Sequence, residues 1–242
     1  MGTRLTKLQD EDFAKCIDYY RNVVIDKNIF TGDSESLTKT AHNIAFTMIV
    51  VIREISNTPD WAVPYLHQLR SDTIQLLPSI VWGTKRALHL FERASIEDLF
   101  RYIFFFDHRI EHLLLQTYPR KFQNFDFLID WAKEHPSLLL HKKPTRKYCD
   151  EIATQYAELS RTIHGTTMAN QQLLESLRDL GRPSPEATQE TRRMKSLYGN
   201  IFFLLLLFHL KEFRQLQLDK RTLVCKRLST EQIQVLSGLD DC

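Results

Sequence analysis

The stretch YAELSRTIHG, residues 156–165, sets an arginine and a histidine one helical turn apart, Arg161 and His164. An imidazole changes charge near neutral pH and can take a proton from a hydroxyl, so His164 is a candidate general base. A guanidinium can hold a phosphate through two parallel N–H donors and stabilise charge developing on it, which is the role open to Arg161. On a helix the two lie about 60° apart, near enough to act on one phosphate. Ala153, Ala157, Ser160 and His164 form a strip of small residues ending in the imidazole, beside an apolar stripe of Ile152, Tyr156, Leu159 and Ile163. Such a strip lets a second helix or a ligand come close. The pair also has a purely structural use, because cations near a helix end closed by a glycine, here Gly165, interact with its last carbonyls.

A second set of polar residues follows helical spacing. Steps of three and four from Arg93 reach Glu97, Arg101, Phe104, His108 and then Glu111 or His112, all within about a third of the helix circumference. Alternating charges on such a stripe can pair as Arg93–Glu97–Arg101 on a solvated face. Phe104 and Phe105 lie on or beside the stripe, however, and Tyr102, Ile103 and Phe106 complete the ring. A segment apolar all round is covered all round, and charges beside it then need partners. The stripe is therefore either a solvated face or a half-buried network. A third group, Lys142, Lys143, Arg146 and Lys147 in HKKPTRK, contains no acid. As a connector it would supply salt-dependent phosphate contacts or stand as a solvated loop.

Other chemistries find no support. The phosphate loop GxxxxGK[ST], the dinucleotide fingerprint GxGxxG, the metalloprotease HExxH and the nucleophile elbow are all missing. His108 and His112 stand four apart without a clear third ligand, so neither a metal nor a cofactor is expected. Cys16, Cys149, Cys225 and Cys242 are widely spaced, which fits a reducing cytoplasm. The balance of 32 Lys+Arg against 30 Asp+Glu leaves a net charge of +2, so any polyanion site must be local. The apolar run Ile201–Leu210 has ten residues, short of the ~20 that a membrane span requires, and is expected as a buried helix.

These residues need helices to position them. Apolar spacing predicts a first helix over about Glu11 to Asn28, a second from a Ser34 or Ser36 cap to about Ile55, and a third opened by Pro64 and disturbed by Pro78 and Gly83. One long or two joined helices follow from Lys85 to about Gln116, then the short DFLIDWAKEH, the helix carrying Tyr156–His164, and another around Leu173 to Leu180. GRPSPEAT reads as a loop, a long helix runs from about Glu186 to Leu216, and LSTEQIQVLSGL ends the chain as a capped helix. No segment alternates as a strand does. The expected fold is all-α: a single helical domain over residues 1–242, with a core at about 85–215 and N-terminal helices at 10–80 packed on it.

RASIEDLFRYIFFFDH and YAELSRTIHG together resemble the HEPN (higher eukaryotes and prokaryotes nucleotide-binding) superfamily. In its bacterial branches a helix rich in Arg, Glu and aromatics precedes one reading roughly Tyr-x-x-Leu-Ser-x-x-x-His-Gly. The resemblance covers about residues 85 to 175. It implies a HEPN-like helical bundle, often a homodimer, found in bacterial toxin–antitoxin or antiphage modules beside a co-encoded partner protein. It further implies RNA or nucleotide binding and, in active members, a metal-independent ribonuclease. Carried across, His164 would be the catalytic histidine and Arg161 its arginine, with Glu97 and Arg101 supporting from the facing helix. Tyr156, Ser160, His108, Lys142, Lys143, Arg146 and Lys147 would contact substrate. The family separates its arginine and histidine by more than Thr162 and Ile163, and the wider spacing occurs here between Arg101 and His108. Many members are non-catalytic adaptors, which is the alternative expectation.

Overall fold

The computed structural model describes residues 4–23, 30–118, 124–164 and 184–238. With only 7 Gly and 8 Pro in 242 residues, amphipathic segments propagate as helices. Among the described residues the regular elements are all α-helical: α1 (Arg4–Val23), α2 (Gly32–Glu54), α3 (Val63–Val81), α4 (Lys85–Asp107), α5 (Arg109–Thr117) and α6 (Phe125–Glu134), then α7 (Pro136–Leu139), α8 (Lys142–His164), α9 (Ala187–Phe208), α10 (Leu210–Gln215), α11 (Leu218–Cys225) and α12 (Thr230–Ser237).

The all-α expectation is therefore met. One apolar cluster runs from Leu37 to Leu236 and takes in residues of α2, α3, α4, α6, α8 and α9. Every residue of α9 from Leu197 to Phe208 is buried, as is His209, which places the Ile201–Leu210 run in the interior except for its partly buried last residue, Leu210. No helix of the described residues is long and apolar enough to cross a membrane.

Several boundaries differ from the sequence reading for identifiable reasons. α1 begins earlier than Glu11, at Arg4. Thr31 stands at the N-cap of α2, with Ser34 already inside the helix and buried. Pro78 does not end α3, which continues to Val81; the turn to α4 follows at Gly83, whose φ of 65° suits a residue without a Cβ. HKKPTRK is not a connector but lies mostly within the opening turns of α8, where Pro144 is tolerated because its missing N–H would have no helical partner. The helix expected to reach Leu216 stops at Phe208. There His209 is buried against Tyr102, Nε2 to hydroxyl 2.6 Å, and its Nδ1 lies 3.4 Å from Glu212. The capped helix at the end is present, with Ser229 and Gln232 forming a reciprocal capping box. Gly165 and the helix expected around Leu173 to Leu180 fall outside the described residues.

Candidate functional site

Helical spacing puts Arg93, Glu97 and Arg101 on one face of α4. The Glu97 carboxylate lies between the two guanidinium groups, Oε1 3.1 Å from Arg93 Nη2 and Oε2 3.0 Å from Arg101 Nη2. All three side chains are partly exposed. The stripe is thus a half-buried network rather than a fully solvated face.

α8 forms the opposite wall. Tyr156, Ser160 and His164 recur every four residues along it, and the first and last meet Arg93. Arg93 Nη2 donates to the Tyr156 hydroxyl at 2.8 Å, and its Nη1 lies 3.5 Å from Nε2 of His164. The Tyr156 hydroxyl donates in turn to Glu97 Oε1 at 2.8 Å. Because Arg93 meets His164 while Glu97 meets Tyr156, α4 and α8 run antiparallel here. The Tyr156 ring is fixed by Phe125 of α6, stacked 3.6 Å away at 21°, and the Arg93 guanidinium carbon lies 4.9 Å from the ring centre. Burial, reinforced by Glu97, raises the pKa of the Tyr156 hydroxyl above its ordinary value, which suits it to hydrogen bonding more than to proton release.

The contact at His164 has a chemical consequence. A guanidinium has only donors, so in this contact Nε2 of His164 offers its lone pair to Arg93. At 3.5 Å this bond is long, and a hydroxyl donor could replace it. Two further polar atoms here, Ser160 Oγ and Arg93 Nε, are buried with no hydrogen-bond partner among the described residues. Orphaned polar atoms beside a solvent-reaching arginine and histidine suit a polar ligand.

A carboxyl pair supports the network from below. Asp98 is buried, with Oδ1 3.6 Å from Arg101 Nη1, and Asp72 of α3 faces it while accepting from Gln68 Nε2 at 2.9 Å. Burial, and then the charge of Asp72, pushes Asp98 up to about 8; burial likewise raises Asp72. Burial and the facing carboxyl of Asp72 favour the protonated form of Asp98. Asp72 and Asp98 belong to different helices, and no short sequence pattern announces their meeting.

The other expected site residues stand elsewhere. Arg161 is exposed on the last turn of α8, on the same helix end as His164, but the arginine that touches His164 is Arg93. His108 ends α4, roughly 20 Å from Arg93 by helical rise, with Nδ1 2.7 Å from the Phe104 carbonyl and its ring stacked 4.0 Å from that of Phe104. Lys142, Lys143, Arg146 and Lys147 open α8, roughly 25 Å or more from His164. Lys142 and Arg146 pair with Glu134, and Lys147 pairs with Glu231 at 2.6 Å. No group of three or more His, Cys, Asp and Glu among the described residues is placed to hold a metal. Sequence reasoning placed Arg93 on the stripe but not in the site; its spacing to Glu97 was the available signal, while its reach across to α8 is a matter of tertiary packing. Set against protein-family models, curated proteins and solved structures, the chain matches none of them, and the network joining α4 to α8 is the feature from which its function is read.

Proposed function

We propose that the protein is HEPN-like, holds a phosphate of RNA or a nucleotide between Arg93 and His164, and cleaves RNA without a metal ion. Support comes from one observation above all: a single arginine on α4 bonds to both the tyrosine and the histidine of the α8 motif. In this reading the Arg93 guanidinium holds the non-bridging oxygens, and exposed Arg161, on the last turn of α8 with His164, is the second cation for the phosphate. His164 Nε2 takes the proton of a ribose 2′-hydroxyl, whose oxygen attacks phosphorus. The five-coordinate charge is stabilised by Arg93. The 5′-oxygen leaves with a proton from water, giving a 2′,3′-cyclic phosphate and a 5′-hydroxyl. Glu97 and Arg101 position Arg93, and Tyr156 and Ser160 line the contact. The resemblance extends the proposal to a cytoplasmic homodimer in a bacterial toxin or antiphage module with a co-encoded partner protein.

Incubation of labelled RNA with the full chain in EDTA tests this. The expected result is cleavage to cyclic-phosphate ends that falls about a hundredfold or more in His164→Ala. Because His164 is exposed, the melting temperature should stay within the shift of a surface change, about 0.5 kcal/mol. Cleavage undiminished in the folded variant would remove His164 from the chemistry.

A second reading has its own observation. No residue of α5 is buried, and Ile110 and Leu113 are 70% and 54% exposed, an apolar stripe suited to covering. The resemblance makes a second copy of the chain the occupant, and the protein would then be a non-catalytic adaptor. Sedimentation of Ile110→Glu as a monomer, against a dimeric parent without ribonuclease activity, would favour that reading.

A further inference from the structure

Away from the α4–α8 network, α11 and α12 fold back toward α9. Between α2, α9 and the segment joining α11 to α12 lies an open cavity of about 310 Å³. Gly199 permits this close approach, since a Cβ there would stand 3.1 Å from the Arg227 carbonyl oxygen. Lys195, Ser196, Lys226, Arg227 and Ser229 line the cavity, with no acidic residue in its walls among the described residues. Ile44 and Tyr198 back the cavity but are each only 1% exposed, and the apolar side chain that reaches into it is the partly buried Leu228.

Two other partly buried arginines of the fold are paired with acids. Arg193 is met by Glu92 and Glu190, and Arg93 by Glu97. Arg227 has its Nε buried with no hydrogen-bond partner among the described residues. Burial alone lowers the Arg227 pKa from its ordinary value, with no carboxylate acting against it. Lys226 reaches only a hydroxyl, Thr6 Oγ1 at 2.9 Å. Taking a guanidinium from water without an anion costs free energy that a bound anion would offset.

We infer that this cavity binds a small phosphomonoester, with its phosphoryl group on Arg227, Lys195 and Lys226 and its organic part against Leu228. The volume lies at the lower end of ligand pockets, roughly 300–1,000 Å³, which suits a compound about the size of a mononucleotide. The cavity and the α4–α8 network share no lining residue: at the cavity wall Gln155 Nε2 donates to Ser196 Oγ at 3.3 Å, while the neighbouring Tyr156 turns to Glu97 of α4. It is a second site, independent of His164.

Calorimetric titration of the full chain with adenosine 5′-monophosphate, inorganic phosphate and adenosine tests the inference. The expected order is monophosphate tightest, phosphate weaker and adenosine undetectable. Measured in an Arg93→Ala background, which removes nucleotide binding at the α4–α8 network, Arg227→Gln and Lys195→Gln should each weaken the monophosphate by about tenfold or more. Without ligand, Arg227→Gln should melt higher than the parent because it removes a buried cation lacking a partner. Lys195 is exposed, so Lys195→Gln carries the test should Arg227→Gln not fold. No binding of monophosphate or phosphate by the parent, binding unchanged in a folded variant, or binding lost in Arg93→Ala would each overturn the site. In the Arg93→Ala background, preference for an RNA oligonucleotide over the monophosphate would overturn the ligand class.

Discussion

Asp98 shows what a buried charge does beneath a surface network. An unfolded aspartate titrates near ~3.9, whereas burial and then Asp72 push Asp98 in the fold up to about 8. Between those values the folded protein holds a proton that the unfolded chain has lost, so this contribution to stability is greatest at the acid end and disappears as pH rises through about 8. Glu92, pushed up to about 7 by burial against the pull of Arg193, slopes the same way, and a comparison of variant with parent cancels it. Asp98→Asn keeps the shape and removes the titration. From about pH 6 to about pH 9 the variant should gain on the parent by roughly 2–3 kcal/mol, or about 4–12 °C in melting temperature; parallel curves would show that no proton is held there. This pair was not legible in the sequence, since Asp72 and Asp98 meet only after α3 and α4 pack. Glu97 and Arg101 were legible, being four residues apart on a patterned helix. Arg93 was half legible: its stripe could be counted, but its partners on α8 could not.

α4 carries the network, and its start depends on how the chain turns out of α3. Trp82 closes α3, and Gly83 takes a φ of 65° before Lys85 opens α4. A Cβ in that left-handed conformation costs roughly 1–2 kcal/mol. Gly83→Ala should therefore lower the melting temperature by about 2–8 °C, followed by circular dichroism; an unchanged transition would show that the α3–α4 turn does not depend on glycine. The sequence signalled α4, α6 and α12 through apolar spacing and caps, because those signals are local. It misled at HKKPTRK, where a proline among cations looks like a loop, yet Pro144 is only the third residue of α8 and breaks no helical bond. It misled again at His209, where an apolar run hides a stop imposed by Tyr102 and Glu212 from other helices or turns.

For the molecule as a whole, the all-α character was readable from few glycines and prolines and from the lack of strand alternation, both properties of the chain itself. The antiparallel meeting of α4 with α8 was not, because it depends on which faces are left after α9 fills the centre. With a net charge of +2, long-range attraction for a polyanion is small and phosphate contacts are local. Lys142, Arg146 and Lys147 are paired with acids at the far end of α8. Replacing them by Ala should leave the slope of log affinity against log salt unchanged for RNA, while Arg93→Ala should reduce it by about one. The central claim is that Arg93 of α4 and His164 of α8 hold the same phosphate. A double-mutant cycle measures this directly, using a 2′-O-methyl RNA oligonucleotide that cannot be cleaved and comparing the parent with Arg93→Ala, His164→Ala and the double variant. Shared contact predicts a coupling energy of about 1–2 kcal/mol. Strictly additive losses, or no loss of affinity in either single variant, would contradict the claim.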